Sequence, residues 1–276
     1  MEVGTIQGSF EVSSLGSANY SIPLEIVPGT KGIQPQLLIS YTNQTGRALL
    51  GHGWNLDGLS SISRSSQTTY YEGQKKEITL TNNDPLSLDG QRLLLMSGTA
   101  MTTGAIYRFE IEDYTRVYIT NANSVSGPLT LEVRKNDGSI FYYGENNSCI
   151  KTNTGIAYQW RIHKSKDIYG NYIQYNYGNT NLANLSGESY IDNIQYTGNA
   201  SAGIAPRNSI KFKYAISPTT KQYILGHEIT NDLIITSIEV QQQNTTIRTY
   251  SFKYFKYSNS QFSLHLAEIH QSMQGK

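Results

Sequence analysis

The chain is 276 residues long with a formal net charge of +1, enough polypeptide to bury a substantial core. Only 16% of residues are charged, while Tyr occurs 21 times and Gly 24, a balance that favours sheets joined by tight turns. The 22 basic and 21 acidic residues are spread without long runs, which leaves no electrostatic footprint for nucleic acid or anionic lipid. The longest aliphatic cluster, Leu93 to Met96, falls far short of the roughly 20 residues a membrane-crossing helix needs, so no membrane insertion by this segment is expected.

Glu2 to Gly8 has neither the basic start nor the apolar stretch of a secretory signal, so either a leader is trimmed or export does not use one. From Tyr20 to Val27 apolar side chains alternate, placing Tyr20, Ile22, Leu24 and Ile26 on one strand face, and Pro23 predicts a sheet edge. Leu37 to Tyr41 restarts the pattern. Hairpins are predicted where Leu86 to Leu88 and Arg92 to Leu95 flank Asp89-Gly90, and where Leu129 to Lys135 and Ser139 to Tyr143 flank Asn136-Asp137-Gly138. Between Trp160 to His163 and Tyr172 to Tyr177, the residues Asp167, Gly170 and Asn171 have the chemistry of a chain reversal.

Further strand-like runs are Tyr107 to Ile111, Tyr190 to Tyr196, Ser209 to Tyr214, Leu233 to Val240, Arg248 to Tyr254 and Leu264 to Ile269. Short helical turns are assigned only to Leu182–Ser186 and Thr219–Leu225, and polar loops to Asn121–Gly127 and Thr197–Asn208. The expectation is a single all-β domain over 1–276, with many antiparallel strands and hairpins in an extended, curved sheet assembly and under about a tenth of residues in helices.

The opening pattern runs from Gly8-Ser9-Phe10 through Tyr20 to Leu24, Pro28-Gly29, Gly32 and Pro35 to Leu50-Gly51-His52-Gly53-Trp54-Asn55-Leu56, then Ile62 and Arg64. It resembles the N-terminal domain of the SpvB family, shared by the salmonella virulence plasmid B protein and the B components of insecticidal toxin complexes. The resemblance continues through Asp84 to Leu93, Tyr107 to Ile111, Asp137-Gly138 and Tyr143-Gly144, and so covers essentially the whole chain. Asp167 to Tyr172 with Tyr175 and Tyr177 is similar to one unit of the tyrosine- and aspartate-marked repeats of RHS proteins. Gly51 and Gly53 beside Trp54 suggest a backbone bend packed against a large aromatic.

The resemblance implies the leading segment of a longer, secreted or surface-displayed chain whose downstream regions form a hollow β shell around a C-terminal effector. Partners would then be those downstream domains and other toxin-complex components, with no cofactor. The alternative function is a carbohydrate- or cell-surface-binding β module contacting a host-surface glycan, since Tyr and Trp can stack on sugar rings while Asn and Asp bind hydroxyls.

Enzyme signatures are weak. Glu110-Ile111-Glu112 fits the bare Glu-x-Glu of ADP-ribosyl transfer but lacks the accompanying Arg and Ser-Thr-Ser-like strand, and it reads as a surface strand with Ile111 inward. The single Cys149 excludes an internal disulfide and a Cys-based zinc site, and Cys149 with His163 shows no nucleophile-and-base signature. The five His have no metal-ligand spacing, with His265 and His270 predicted on opposite strand faces.

Overall fold

The computed structural model describes residues 4–14, 16–145, 147–152, 154–178, 190–224, 226–256 and 264–273. Strands take up 59% of the protein and helices 3%, the all-β composition expected from the hairpin spacing. Among the described residues helix is confined to a 3-10 turn at Thr30–Gly32 and the single turn α1, Thr69–Glu72.

An N-terminal layer comes first, built from β1 (Ser9–Val12), β2 (Ala18–Pro23), β3 (Leu38–Thr42), the small hairpin of β4 (Arg47–Ala48) and β5 (Gly51–His52), and β6 (Trp54–Asp57). Its sheet order is β1-β2-β3-β6. Pro23 is therefore not on an edge strand: it ends β2, opposite Leu38 of β3 and two residues past Ser21, where β1 stops pairing. No ladder bond is required of its missing N–H there.

Next come β7 (Ser61–Arg64), β8 (Leu86–Leu88), β9 (Gln91–Ser97), β10 (Ile106–Phe109), β11 (Arg116–Asn123), β12 (Gly127–Arg134), β13 (Ile140–Tyr143), β14 (Cys149–Lys151) and β15 (Ala157–Lys166). From β7 to β13 each strand pairs antiparallel with the next, and β15 pairs with both β7 and β13. These eight strands close a barrel, a feature the expectation of an extended curved sheet did not contain, because closure depends on pairing between residues about a hundred positions apart. Alternation fills the interior: Ile62, Leu86, Leu93, Tyr107, Val117, Leu131 and Trp160 are buried.

β15 is also where the barrel opens into an arm. Its first half, Gln159 to Arg161, pairs with β7, while its last residues, Lys164 to Lys166, pair with β16 (Asn171–Gly178). The arm continues through β17 (Tyr190–Asn199), β18 (Asn208–Ile224), β19 (His227–Gln242), β20 (Thr245–Lys256) and β21 (Leu264–Met273), each antiparallel to the last. The helical turn expected at Thr219–Leu225 is replaced by strand through Ile224, since pairing with β19 overrides local preference. Asn121 to Gly127 likewise belongs to the β11–β12 hairpin rather than to a loop, and Thr197–Asn208 is strand at both ends. Leu182–Ser186 lies outside the described residues.

The N-terminal layer is stitched to the arm by tyrosine hydroxyls. Glu25 N donates to Tyr250 Oη at 2.9 Å, and Tyr196 Oη donates to Val27 O at 2.8 Å. Ile22, Ile39 and Leu56 on the layer join the buried side chains of barrel and arm in one hydrophobic cluster. Burial pushes the Tyr196 phenol up to about 12, so its hydroxyl remains a protonated donor to Val27 O.

Candidate functional site

The turns singled out in the sequence form where expected. Asp89 and Gly90 both have positive φ, 49° and 82°, the two-residue primed turn that matches strand twist. The Asp89 carboxylate accepts from Ser61 N at 2.8 Å and Ser60 Oγ at 2.7 Å, and Ser60 is hydrogen-bonded to Tyr143 Oη. Asp137 accepts from Ser139 N and Oγ, which hold its carboxyl below the usual range. Gly138 follows at φ 79°, and Ile168 of the next turn lies against it.

The β15–β16 reversal is the most elaborate of these. Asp167 Oδ1 accepts from Tyr169 N and Asn171 N, and Oδ2 from Asn171 Nδ2 at 2.7 Å. Asn171 Oδ1 in turn accepts from Asn199 Nδ2, tying the turn to β17. Gly170 sits at φ 84°, and a Cβ there would fall 2.4 Å from Ser201 Oγ, so this position takes glycine for both angle and space.

Gly53, at φ 80°, lies against the Tyr41 ring, and Gly51, at φ 96°, against Leu264 O. Trp54 packs at 5.2 Å from Tyr41 and edge-on at 6.4 Å to Tyr20. It is half-buried rather than enclosed, because the aromatic row Phe10, Tyr20, Tyr41 and Trp54 runs along the margin of the layer.

Sequence reasoning missed the fully buried Trp160, whose Nε1 donates to Pro128 O at 2.9 Å. It also missed the ion pair between Arg64 and Asp84, 3.1 Å apart with both side chains 1% exposed. Arg64 Nε donates to Ala157 O, and Asp84 Oδ1 accepts from Thr79 N and Oγ1. Both residues stood in the recognisable pattern, but their polar sequence neighbours, Ser63, Ser65 and Asn83, gave no sign of burial.

The candidate chemical groups are otherwise engaged. Glu110 accepts from Tyr71 and Tyr70, and Glu112 from Arg116. The hydroxyl donors hold Glu110 below the usual carboxylate range. Ile111 does not point inward: it is 85% exposed, because β10 ends at Phe109 and strand alternation no longer applies. Burial raises the Cys149 thiol to about 11 and lowers His163, which faces Glu145 at 3.2 Å. His265 and His270 share a face, contrary to expectation, since a bulge beside Lys253 and Tyr254 inserts an extra residue in β21 and resets the alternation. Among the described residues no group of three His, Cys, Asp or Glu is placed to hold a metal ion.

Residues 12–236 match the family model described as SpvB, Salmonella virulence plasmid 65kDa B protein. The chain belongs to the SpvB family. No curated protein sequence matches it. Among solved structures, this SpvB-family chain is similar to TcdB2-TccC3, with a TM-score of 0.75 at 15% identity, covering 98% of this chain and 16% of that one. The N-terminal domain of effector protein SpvB from Salmonella typhimurium strain LT2 superposes with a TM-score of 0.68 at 15% identity, covering 91% of this chain and 98% of that domain. The Photorhabdus luminescens Tc holotoxin pore gives a TM-score of 0.71 at 14% identity over 98% of this chain and 16% of the other. The chain thus spans about a sixth of the toxin-complex chains it resembles and nearly the whole of the SpvB domain.

Proposed function

We propose that this SpvB-family chain is a non-catalytic wall segment of a secreted toxin-complex-like protein. It would be one domain over 1–276 that joins downstream domains of the same chain and other toxin-complex components in a shell around an effector. One observation carries the reading. The barrel consumes the edges of its own strands, whereas the arm stops at β21, ten residues bonded on one side to β20 and, among the described residues, to no strand on the other. β21 contains neither Lys nor Pro to blunt that edge, so it suits continuation by a further strand.

The likeness over 98% of this chain to one sixth of TcdB2-TccC3 supports a part within a larger assembly. Gly51, Gly53, Trp54, Asp89, Gly90, Asp137, Gly138, Asp167, Gly170 and Asn171 are then architectural, since their polar atoms or backbone angles serve turns and their side chains serve packing. The engagement of Glu110 and Glu112 with neighbouring side chains, and the raised Cys149 thiol, favour an absence of turnover.

Deleting 1–276 from the full chain should expose the downstream effector to protease, and the segment alone should show no NAD-glycohydrolase or ADP-ribosyltransferase activity. Protection that survives the deletion, or turnover abolished by Glu112→Ala, contradicts the proposal.

A further inference from the structure

Strand register sets the two lysines of β15, Lys164 and Lys166, among neutral neighbours on one outer face of the sheet, across β13, β15 and β16. Tyr142 stands opposite Lys164 and Ile140 opposite Lys166, while on the other side Lys164 faces Gln174 and Lys166 faces Tyr172. Gln174 is in turn opposite Gln195 of β17. Each lysine leans over an aromatic ring: the Lys164 ammonium is 4.8 Å from the Tyr172 centroid and that of Lys166 is 5.7 Å from Tyr142. Among the described residues neither ammonium lies within ion-pair distance of a carboxylate. Arg134, over Tyr118 on the neighbouring strands, is by contrast already paired with Glu132.

The two free cations are two residues apart on β15 and so project about 7 Å from one another on the same face. The rings beneath them hold flexible stems in place, which lowers the entropy lost on binding. Beside the cations stand the neutral amides of Gln174 and Gln195, suited to hydroxyl groups. A single-stranded nucleic acid would need open aromatic faces for its bases, and here Tyr142 and Tyr172 are occupied by the lysines.

We propose that this face binds an acidic polysaccharide, with Lys164 and Lys166 meeting carboxylate or sulfate groups on neighbouring sugars and Gln174 and Gln195 meeting hydroxyls. The proposal rests on the residues of this face and not on the wall reading.

The test is calorimetric titration of the whole chain with a heparin oligosaccharide, an oligogalacturonate and neutral dextran. At least one acidic sugar should bind, dextran should not, and binding should weaken as salt is raised. Binding of heparin alone assigns sulfate as the recognised group, and binding of oligogalacturonate assigns carboxylate. Lys164→Gln with Lys166→Gln should weaken binding by about tenfold or more at an unchanged denaturation midpoint, whereas Arg134→Gln should change it less than about twofold. Gln174→Ala with Gln195→Ala, which leaves the charge intact, should lose affinity severalfold. Binding of neither acidic sugar at low salt overturns the proposal, as does a full-affinity lysine or glutamine variant, an Arg134 effect equal to that of the lysines, or single-stranded DNA bound as tightly as the sugar.

Discussion

Replacing Asp84 by Asn keeps the shape of the side chain and removes the charge that balances Arg64 inside the protein. Both partners are 1% exposed, so water cannot compensate the guanidinium that remains. Its other contacts, to Ala157 O and Thr81 O, are neutral carbonyls. Burial already pulls Arg64 below its ordinary value, and Asp84 pulls it back up. Breaking one side of such a pair costs about 3–5 kcal/mol, whereas exchanging both partners for apolar residues of similar volume is often neutral or stabilising. Urea denaturation at pH 7, followed by the intrinsic fluorescence of Trp54 and Trp160, should therefore show Asp84→Asn strongly destabilised and the double variant Arg64→Met with Asp84→Leu within about 2 kcal/mol of the parent. An Asp84→Asn midpoint within about 0.5 kcal/mol of the parent would refute the idea that Arg64 depends on this carboxylate.

Trp160→Ala should cost about 3–5 kcal/mol, because the indole is fully buried and its removal leaves a cavity and takes away the bond to Pro128 O. Trp54→Ala should cost nearer 2 kcal/mol, about half as much, since that ring is only half-buried; equal losses in a denaturant series would contradict the difference. With its thiol at about 11, Cys149 is only about one part in a thousand thiolate at pH 8. Its reaction with an aromatic disulfide reagent should accelerate by orders of magnitude on unfolding, and equal native and unfolded rates would contradict this burial. Glu268 is held down to about 2 by Lys253 first and His270 second. Because its folded value lies below the unfolded value near 4.3, its contribution is present above about pH 4 and fades as pH falls through about 2. Its carboxyl resonance should titrate near 2 and move toward the ordinary range in Lys253→Met, and a normal midpoint in the parent would contradict the contact.

What could be read from residues alone was local. Asp89-Gly90 and Asp167 to Asn171 carry their turn geometry in the few atoms of the turn, so their hairpins were predictable, as were the alternating strands beside them. Barrel closure was not predictable in that way, because Ile62 meets Trp160 only after some hundred intervening residues have folded. Thr219–Leu225 read as a short helical turn in isolation, yet the chain is strand through Ile224 because it pairs with β19. The same limit applied to the sites: Ile111 was assigned inward on a strand that in fact ends two residues earlier, and the one-residue bulge in β21 moved His265 and His270 onto one face. Lys164 and Lys166 gave no charge signal in the sequence because their significance depends on what stands across from them.

Hydrogen exchange at β21 tests the wall reading most directly. If the free edge of Leu264–Met273 pairs with a following strand, its outward amides in the full-length protein should exchange at least about a hundredfold more slowly than in 1–276 alone. Exchange at the same rate in both would leave that edge unpaired and contradict the account.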